Sequence, residues 1–410
     1  MLSQATGCAV EAAHHALWDR FVDRHGVILD YVGLEGEVQR PTPEDCLLCR
    51  PNALSWGAPN ENGAFFGGVY LEAAVGRFAL TGADKDRERA RTIAAGLALL
   101  ASVGEKPGFI ARGVAEDGHS HFPIGSNDQT TPWLYGMWRY LSSDVPDAQE
   151  RRDILAKLIE VVGVLHAYDW RTPCDRPPFD FRNCLTEWTF ESAPRLLWLC
   201  KMMADLTGDA VWTDRYDEAL VQRNPDRPEG PDRLAICRRG MVFEFGGRHS
   251  WIASNSVAAL RALWELEDAP SLKEAYAEGL LHSAELAAES LPLALQFDPE
   301  DPRPFSCNWR VVNELWHEQR TVQEAVKLGK LQCGRFARES PRWPYEAGYV
   351  REPLFAAWIT SLCPNVGFLQ TLVPRIAAAI EHYRWDRLCM SQFFGAELAY
   401  YQLLGSGVAR

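Results

Sequence analysis

The chain has 410 residues, of which 47% are hydrophobic and 24% are charged, and its 42 Lys and Arg against 55 Asp and Glu give a formal net charge of −13. This composition excludes an intrinsically disordered chain, and the negative charge disfavours binding to nucleic acid or to an anionic membrane surface. No stretch is long and apolar enough to span a bilayer, and residues 1–10 lack the pattern of a secretion signal, so we expect a cytoplasmic protein.

The cysteine content argues against a disulfide framework and against a structural zinc site. The chain has 11 cysteines, an odd number, and several stand in apolar segments such as residues 199–200 and 388–389. Small buried thiols in a reducing compartment fit this distribution better than disulfides do. Cys46 and Cys49 form a CxxC pair, but no second pair completes a zinc site, so no metal is predicted there.

The first part of the chain predicts a helix near residues 8–24, a long loop over residues 26–62, and then two contrasting helices. Residues 63–80 are apolar on nearly every side, which is the pattern of a helix buried all round. Residues 84–100 carry one apolar stripe opposite charged side chains, which is the pattern of a helix with one face in water. We therefore predict an inner helix followed by an outer helix.

This alternation of inner and outer helices recurs along the chain. Its turning points, Asp84, Asp144, Asp209 and Asp268, are separated by 60, 65 and 59 residues. Further inner helices are expected at residues 128–141, 187–206, 249–266, 309 onward and 351–362, and outer helices at residues 148–168, 209–221 and 271–290. With a last helix near residues 390–404, the count is about twelve to fourteen helices, or six to seven hairpins.

Stacked helical hairpins of this kind either close into a ring or form an open solenoid. An open solenoid needs polar helices to cap both ends, and neither terminal helix has that character. We therefore predict an all-α fold, a closed (α/α)6 toroid that the whole chain, residues 1–410, forms as one domain. The alternatives are an (α/α)7 ring and an open helical solenoid.

Long loops precede the inner helices, whereas the loops within each hairpin are short. The long loops cover residues 26–62, 105–127, 170–186, 224–248 and 291–308. In a toroid these loops share one rim, and because long loops on a compact scaffold commonly carry function, this rim is the expected position of a site. In the second loop, residues 109–114 and 119–122 flank an Asp-Gly turn, which predicts a small β-hairpin over the opening.

Polar and aromatic residues gather where each inner helix is expected to begin. These candidates are Glu61, Asn62, Asp128, Gln129, Glu187, Trp188, Arg248, His249, Trp251, Trp309 and Arg351. In a ring such positions converge on one opening, where carboxylates can act as acid and base and tryptophans can stack on sugar rings. The combination predicts a carbohydrate pocket.

A simpler interpretation applies to several of these residues. Polar residues at helix starts are favoured caps, so Asn62, Asp128 and Glu187 would on that view serve only the helix ends. Tryptophans in the middle of inner helices, such as Trp138 and Trp198, are predicted to be core residues rather than ligand contacts.

Two histidines in the second long loop, His119 and His121, form an HxH pattern. This spacing places both rings on one face of a strand and can suit a metal ion. Because no carboxylate or third histidine is evident beside them, we predict contact with substrate or simple solvent exposure, and no metal. The chain also lacks GxGxxG, P-loop, HExxH and GxSxG motifs, and no cofactor is predicted.

The start of the second inner helix carries a family resemblance. Residues 125–133, GSNDQTTPW, together with the helical repeat, resemble the six-hairpin glycosidase-like superfamily. Its (α/α) toroids include unsaturated glucuronyl hydrolases and other uronate-processing glycosidases, with lyases and sugar epimerases among their relatives. Such hydrolases place a catalytic Asp at the start of an inner helix, so the resemblance implies that Asp128 is the leading acid.

The reaction expected from this resemblance is hydrolysis at a uronic-acid-type sugar in an oligosaccharide. Asp128 would protonate the departing oxygen, or the double bond if the sugar is unsaturated, and Glu187 or Glu61 would activate water. Burial in a tryptophan-lined funnel favours the neutral form of an acid. The expected partner is thus an oligosaccharide, and the oligomeric state is not predicted.

Arginines near the opening are candidates for binding the sugar carboxylate. Arg112, Arg248 and Arg351 can each match a carboxylate with a fork of two N–H groups. Their alternative use is an ion pair with a carboxylate of the protein, such as Glu61 or Glu352.

Two other functions fit the same fold. A lyase or epimerase would need a base that removes a carbon-bound proton, for which His249 or Tyr349 is a candidate. A noncatalytic helical scaffold would instead bind a peptide or protein along an extended groove. Ultraviolet absorbance separates the first alternative from hydrolysis, because β-elimination creates an unsaturated product.

Overall fold

The structure is a computed structural model, which describes residues 2–243 and 247–408. The predicted loop over residues 224–248 is therefore described except for residues 244–246. Residues 1, 409 and 410 of the predicted domain also lie outside the described part.

The described residues are predominantly helical, as predicted. In chain order the helices are α1 (Gln4–Arg20), α2 (Pro43–Leu47), α3 (Gly63–Thr81), α4 (Asp84–Leu100), α5 (Asn127–Leu141), α6 (Ala148–Ala167), α7 (Ala193–Thr207), α8 (Ala210–Val221), α9 (Arg233–Arg239), α10 (Ser250–Leu266), α11 (Pro270–Ala288), α12 (Val322–Glu339), α13 (Arg342–Glu346), α14 (Glu352–Ser361), α15 (Val366–Glu381) and α16 (Gly395–Gly405). Short 3-10 helices cover Leu291–Gln296, Trp309–Leu315, Trp385–Arg387 and Ser391–Phe394, and a π-helical turn covers Ala347–Arg351.

Twelve of these helices form an (α/α)6 toroid. The inner helices are α3, α5, α7, α10, α14 and α16, and the outer helices are α1, α4, α6, α8, α11 and α15. The ring closes where α16 packs against α3. There the Arg77 guanidinium donates to the Tyr401 hydroxyl over 2.9 Å, and the Tyr70 hydroxyl donates to the Glu397 carboxylate over 3.2 Å. The predicted fold class is thus confirmed, with six hairpins in the ring.

The contrast between inner and outer helices follows from their sequences, as predicted. Every residue of α3 from Gly63 to Leu71 is buried, because the helix has apolar side chains on all sides. Its outer partner α4 buries Ile93, Leu97 and Leu100 and leaves its first charged residues in water.

Two glycines set the closest contact between neighbouring inner helices. A Cβ added to Gly136 of α5 would lie 2.1 Å from the backbone oxygen of Gly68 of α3. A Cβ on Gly68 would lie 2.2 Å from the backbone oxygen of Pro132. Only glycine allows the two backbones to approach this closely.

The lumen of the ring is filled rather than open. The rings of Phe65 on α3 and Trp251 on α10 stack across it, 5.9 Å apart. Nearer the other end of the ring, Arg139 of α5 donates to Glu265 of α10 over 2.6 Å. Trp198 is fully buried, in line with its predicted place in the core. These contacts close the lumen, so the toroid does not form a pore through its described residues.

The expected inner helix that begins at Trp309 is a wrong prediction. Trp309 instead opens a short 3-10 helix, which leads to α12 outside the ring. Its side chain is fully buried in a separate apolar cluster with Tyr31, Val312 and Phe336. The reason is visible in the sequence, because polar and charged residues at 313–320 interrupt the apolar run that an inner helix needs.

The small β-hairpin is present, but in a different rim loop from the one that we favoured. Strands β1 (Arg171–Pro173) and β2 (Phe181–Cys184) pair in antiparallel register in the third long loop. The segment at residues 109–122 forms turns instead. Its backbone finds other partners, since the Ala111 N–H donates to the Leu100 carbonyl at the end of α4 over 2.9 Å.

None of the helices in the described residues combines the length and apolar character needed to cross a membrane.

Candidate functional site

The long rim loops and the first turns of the inner helices lie at one end of the ring, which we call the mouth. Glu61 stands before α3, Asp128 in the first turn of α5, Trp251 in the first turn of α10, and Arg351 directly before α14. Charge–charge interactions join Arg112 to Glu61 and to Asp128, and join Arg351 to Glu61. Residues separated by up to about three hundred positions in sequence thus meet at this mouth.

Asp128 is held by an arginine that the sequence did not single out. Arg195 of α7 is completely buried, and its Nη1 donates to Asp128 Oδ1 over 3.0 Å. Its Nε donates to the Ser256 hydroxyl over 2.9 Å, which fixes the guanidinium between α5 and α10. About a third of the Asp128 side chain, 33%, remains exposed to the mouth. The N-cap of α5 is Ser126, so Asp128 does not serve as the cap.

Glu61 occupies a different electrostatic setting. Its Oε2 accepts a hydrogen bond from the Gly57 backbone N–H over 2.9 Å. Burial raises the pKa of the Glu61 carboxyl, while the Gly57 N–H and then the positive charge of Arg112 oppose that shift. A carboxyl with a raised pKa retains its proton to higher pH, which is the property of a general acid.

A second acidic residue, Asp30, lies next to Glu61. Burial raises the pKa of Asp30 well above its usual value, and the charge of Glu61 raises it further. The two Asp30 oxygens accept from the Asn62 backbone N–H over 2.8 Å and from the Asn62 side-chain amide over 2.6 Å. Asp30 therefore supports Asn62, and its own ionisation is disfavoured by burial and by the charge of Glu61.

Asn62 and Gln129, two predicted substrate contacts, are bound to the protein in this structure. The Gln129 amide donates to Asn62 Oδ1 over 3.0 Å, and its oxygen accepts from the Phe65 backbone N–H over 3.0 Å. Both side chains are buried. The pair joins the beginnings of α3 and α5 and so fixes the separation between Glu61 and Asp128.

The predicted arginines Arg112 and Arg351 both lie at the mouth. Arg112 donates to the carbonyl oxygens of Ile124 and Glu61 and to the Ser126 hydroxyl, at 3.1–3.3 Å. The guanidinium of Arg351 lies 4.4 Å from the centre of the Trp251 ring. Burial lowers the pKa of Arg112 to about 9 and that of Arg351 to about 10.

The sequence suggested ion pairs with protein carboxylates as an alternative use of these two arginines, and the described residues do not form them. Among residues 2–243 and 247–408, neither Arg112 nor Arg351 forms an ion pair. The nearby Glu352 is engaged elsewhere, because it accepts from the Ser250 backbone N–H over 2.8 Å and from the Ser250 hydroxyl over 2.7 Å. Two guanidinium charges therefore stand at the mouth without an ion pair to any described residue.

Arg248 and His249 lie at the edge of the mouth. Arg248 is exposed and donates to Glu289 over 2.9 Å. His249 lines a small cleft together with Phe190, Glu191, Val242, Phe243, Ile252 and Ala253. His249 and Glu191 thus line the same cleft, and His249 is close in sequence to residues 244–246, which lie outside the described part.

Three predicted site residues lie away from the mouth or are enclosed. Glu187 is exposed in the turns between β2 and α7. The Trp188 indole donates to the Gln222 carbonyl over 3.2 Å, beside the end of α8. The Trp309 indole is fully enclosed and donates to the Gln39 carbonyl over 2.6 Å, which leaves no face for a sugar.

His119 and His121 line a separate cleft together with Pro43, Cys46 and Arg176. His119 is exposed, whereas His121 is buried, with its Nε2 3.0 Å from Asp175 Oδ2 and its Nδ1 3.0 Å from the His119 carbonyl oxygen. Both ring nitrogens of His121 are thus engaged by the protein. No cluster of three or more His, Cys, Asp or Glu side chains suited to a metal ion occurs in the described part of the chain.

Sequence reasoning missed three charged residues of the mouth, Asp30, Arg182 and Arg195. One signal was available for Arg195, because an arginine within the apolar run of residues 193–200 must have a buried partner. Arg182 and Asp30 stand in long loops, where no periodicity indicates the direction of a side chain.

The fold and the mouth together define a class of protein, an all-α (α/α)6 toroid with ionisable residues gathered at the N-terminal ends of its inner helices. Comparison of the chain with protein-family models, with curated proteins and with solved structures gives no match in any of the three.

Proposed function

We propose that this protein is a glycoside hydrolase that acts on a uronic-acid-type sugar in an oligosaccharide. One observation carries the proposal: Glu61 and Asp128 meet at one mouth in opposite electrostatic settings. Glu61 is desolvated and has a raised pKa, whereas Asp128 accepts a hydrogen bond from the buried Arg195 guanidinium. Two carboxyl groups whose environments differ in this way suit an acid and a base.

The two settings favour an exchange of the roles that the sequence suggested. In our proposal, Glu61 transfers its proton to the glycosidic oxygen as the bond between that oxygen and the anomeric carbon breaks. Asp128 accepts a proton from water as the water oxygen attacks the anomeric carbon. Arg195 keeps Asp128 oriented for this step, since a charge-assisted hydrogen bond fixes the carboxylate plane.

The surroundings of the pair support an acidic sugar as substrate. Arg112 and Arg351 provide positive charge that no ion pair within the described residues neutralises. Trp251 is half-buried at the mouth, where its ring stacks on Phe65 and holds the Arg351 guanidinium in place. The stack of Phe65 on Trp251 closes the lumen beneath, which favours binding the end of a chain over threading it through.

The proposal is tested by incubating purified protein with uronate-containing oligosaccharides and measuring both reducing ends and ultraviolet absorbance. Hydrolysis releases reducing ends without a new chromophore, and the Asp128→Asn variant should release few. A rise in ultraviolet absorbance would replace hydrolysis with the lyase alternative. Equal activity in wild type and Asp128→Asn, or no turnover of any such substrate, would reject the proposed reaction.

A further inference from the structure

We propose that Arg182, on strand β2, is the residue by which the mouth recognises the carboxylate of its substrate. This inference rests on the proposed function, because it assigns the specificity of the same site. It makes the β1–β2 hairpin a specificity element of the toroid.

The hairpin orients Arg182 towards the mouth by strand alternation. Phe181 and Arg182 are consecutive in β2, so their side chains leave on opposite faces. Phe181 lies on the outer face, where the Arg171 guanidinium sits 4.3 Å from its ring centre. Arg182 lies on the inner face, with its guanidinium 5.3 Å from the ring centre of Trp56 in the first rim loop.

Arg182 is surrounded by charged groups of the mouth but bonded to none of them. Its charge interacts with those of Asp128, Glu61 and Glu191. In the described part of the chain, however, its side chain forms neither an ion pair nor a hydrogen bond, and its buried Nη1 lacks a partner. An unpaired guanidinium nitrogen withdrawn from water is costly, and a ligand oxygen that accepts from it offsets that cost.

The other arginines of the mouth are less available for a ligand. Arg112 already donates to three oxygens of the protein, and Arg195 donates to Asp128 and Ser256. Arg351 is seated on the Trp251 ring. Arg182 and Arg351 both lack a hydrogen bond to the described residues, but the buried nitrogen without a partner is the terminal Nη1 in Arg182 and the inner Nε in Arg351. The terminal nitrogens of Arg182 can offer two parallel N–H groups to a carboxylate.

The chemical class that fits Arg182 is a pyranose with a carboxylate at C6. A neutral hexose carries a hydroxyl group there, which forms one weaker hydrogen bond and does not neutralise the guanidinium. Arg182 should therefore separate a uronic acid from the corresponding hexose, while the acid–base pair contacts parts that both sugars share.

The test compares Arg182→Gln and Arg182→Lys with Arg171→Gln, a matched change on the outer face of the same hairpin. Calorimetry with D-glucuronate and D-glucose measures binding, and rates on a uronate-terminated oligosaccharide and its neutral counterpart measure specificity. We expect Arg182→Gln to weaken glucuronate binding by roughly 10- to 100-fold, with little change for glucose. Arg182→Lys should recover part of the loss, because it keeps the charge but not the fork, and Arg171→Gln should resemble wild type.

Unchanged glucuronate binding in Arg182→Gln would overturn the inference, as would an equal loss of glucose and glucuronate binding. If Arg182→Gln does not fold, Arg182→Lys decides, because it should discriminate less well between the two sugars than wild type.

Selective glucuronate binding that depends on Arg182, without any hydrolysis, would reject the proposed reaction and leave this assignment standing. Hydrolysis that does not distinguish the acidic from the neutral substrate would reject the assignment alone. A wild-type protein that neither binds nor hydrolyses these sugars would reject both.

Discussion

The Asp128 carboxylate accepts a hydrogen bond from the guanidinium of Arg195 over 3.0 Å, and the exposed fractions of the two side chains are 33% and 0%. The arginine is therefore a fixed support, and the carboxylate is the group that faces the opening. Because Arg195 belongs to α7 and Asp128 to α5, the packing of these two neighbouring inner helices determines the direction of the Asp128 side chain.

Replacing Asp128 by Asn should abolish most of the turnover and leave the fold intact. The amide oxygen of Asn still accepts from Arg195, but it cannot take a proton from water. We expect kcat to fall by about 10²- to 10⁴-fold, the usual contribution of a general base. Asp144→Asn is the control, since Asp144 is exposed beyond the opposite end of α5. A similar loss in both variants would contradict the assignment.

The pH dependence of the rate should show Glu61 as an acid. Its pKa is raised above the ordinary value of 4.5 by burial, so the protonated and active form persists above that pH. The rate should fall as pH rises through the raised pKa, and Glu61→Gln should be slow at every pH. A rate that falls only as pH drops through this range would show that Glu61 acts as a base.

The Glu61 carboxyl, with its raised pKa, should also make the protein less stable at high pH. The folded state of a group with a raised pKa binds more protons than the unfolded state, so stability is lost as pH rises through the folded pKa. Glu61→Gln removes this penalty, and its amide oxygen can still accept from the Gly57 N–H. We expect its Tm to exceed that of wild type at about pH 8 and the difference to shrink towards about pH 4. A difference that grows on acidification would contradict this sign.

Matched Trp→Phe changes should separate a tryptophan of the mouth from one of the core. Trp309→Phe removes the indole N–H bonded to the Gln39 carbonyl, so the free energy of unfolding should fall by about 2 kcal/mol with KM unchanged. Trp251→Phe should raise KM several-fold, because the surface that stacks on Phe65 and seats Arg351 becomes smaller. The opposite pattern in urea denaturation and steady-state kinetics would exchange the two roles.

The close crossing of α3 and α5 should tolerate no side chain. Gly136→Ala places a Cβ 2.1 Å from the Gly68 oxygen, and we expect a loss of about 3 kcal/mol in the free energy of unfolding. Gly163→Ala in α6 is the matched control, since a Cβ there meets nothing within 4 Å. That change should stabilise the protein by about 0.5–1 kcal/mol. Equal effects of the two changes in urea denaturation would show that the helices do not cross this closely.

The regular spacing of the helices made the ring of inner and outer helices predictable from the sequence. The buried pattern of residues 63–80 and the amphipathic pattern of residues 84–100 each specify a position in the ring, and their repetition specifies closure. Because all inner helices begin at the same rim, the meeting of Glu61 and Asp128 followed from the same repeat.

The positions of Arg195, of the β-hairpin and of Trp309 were not predicted, because they depend on contacts between loops that no repeat encodes. The third inner helix begins at Ala193, six positions after Glu187, so Arg195 rather than Glu187 occupies its first turn. The hairpin forms at β1 and β2 because the segment at residues 109–122 pairs with other elements. Trp309 matched the spacing of the inner-helix starts, but the polar residues at 313–320 end the apolar run, and the tryptophan packs in a satellite cluster.

The most direct test of the account is a crystal structure of Asp128→Asn bound to a uronate-terminated oligosaccharide. The account predicts that the terminal sugar lies at the mouth between Glu61 and residue 128, with its glycosidic oxygen within hydrogen-bond distance of the Glu61 carboxyl. A sugar bound on another surface, or a mouth that stays empty at saturating oligosaccharide, would contradict the claim that the ring gathers these residues into one catalytic site.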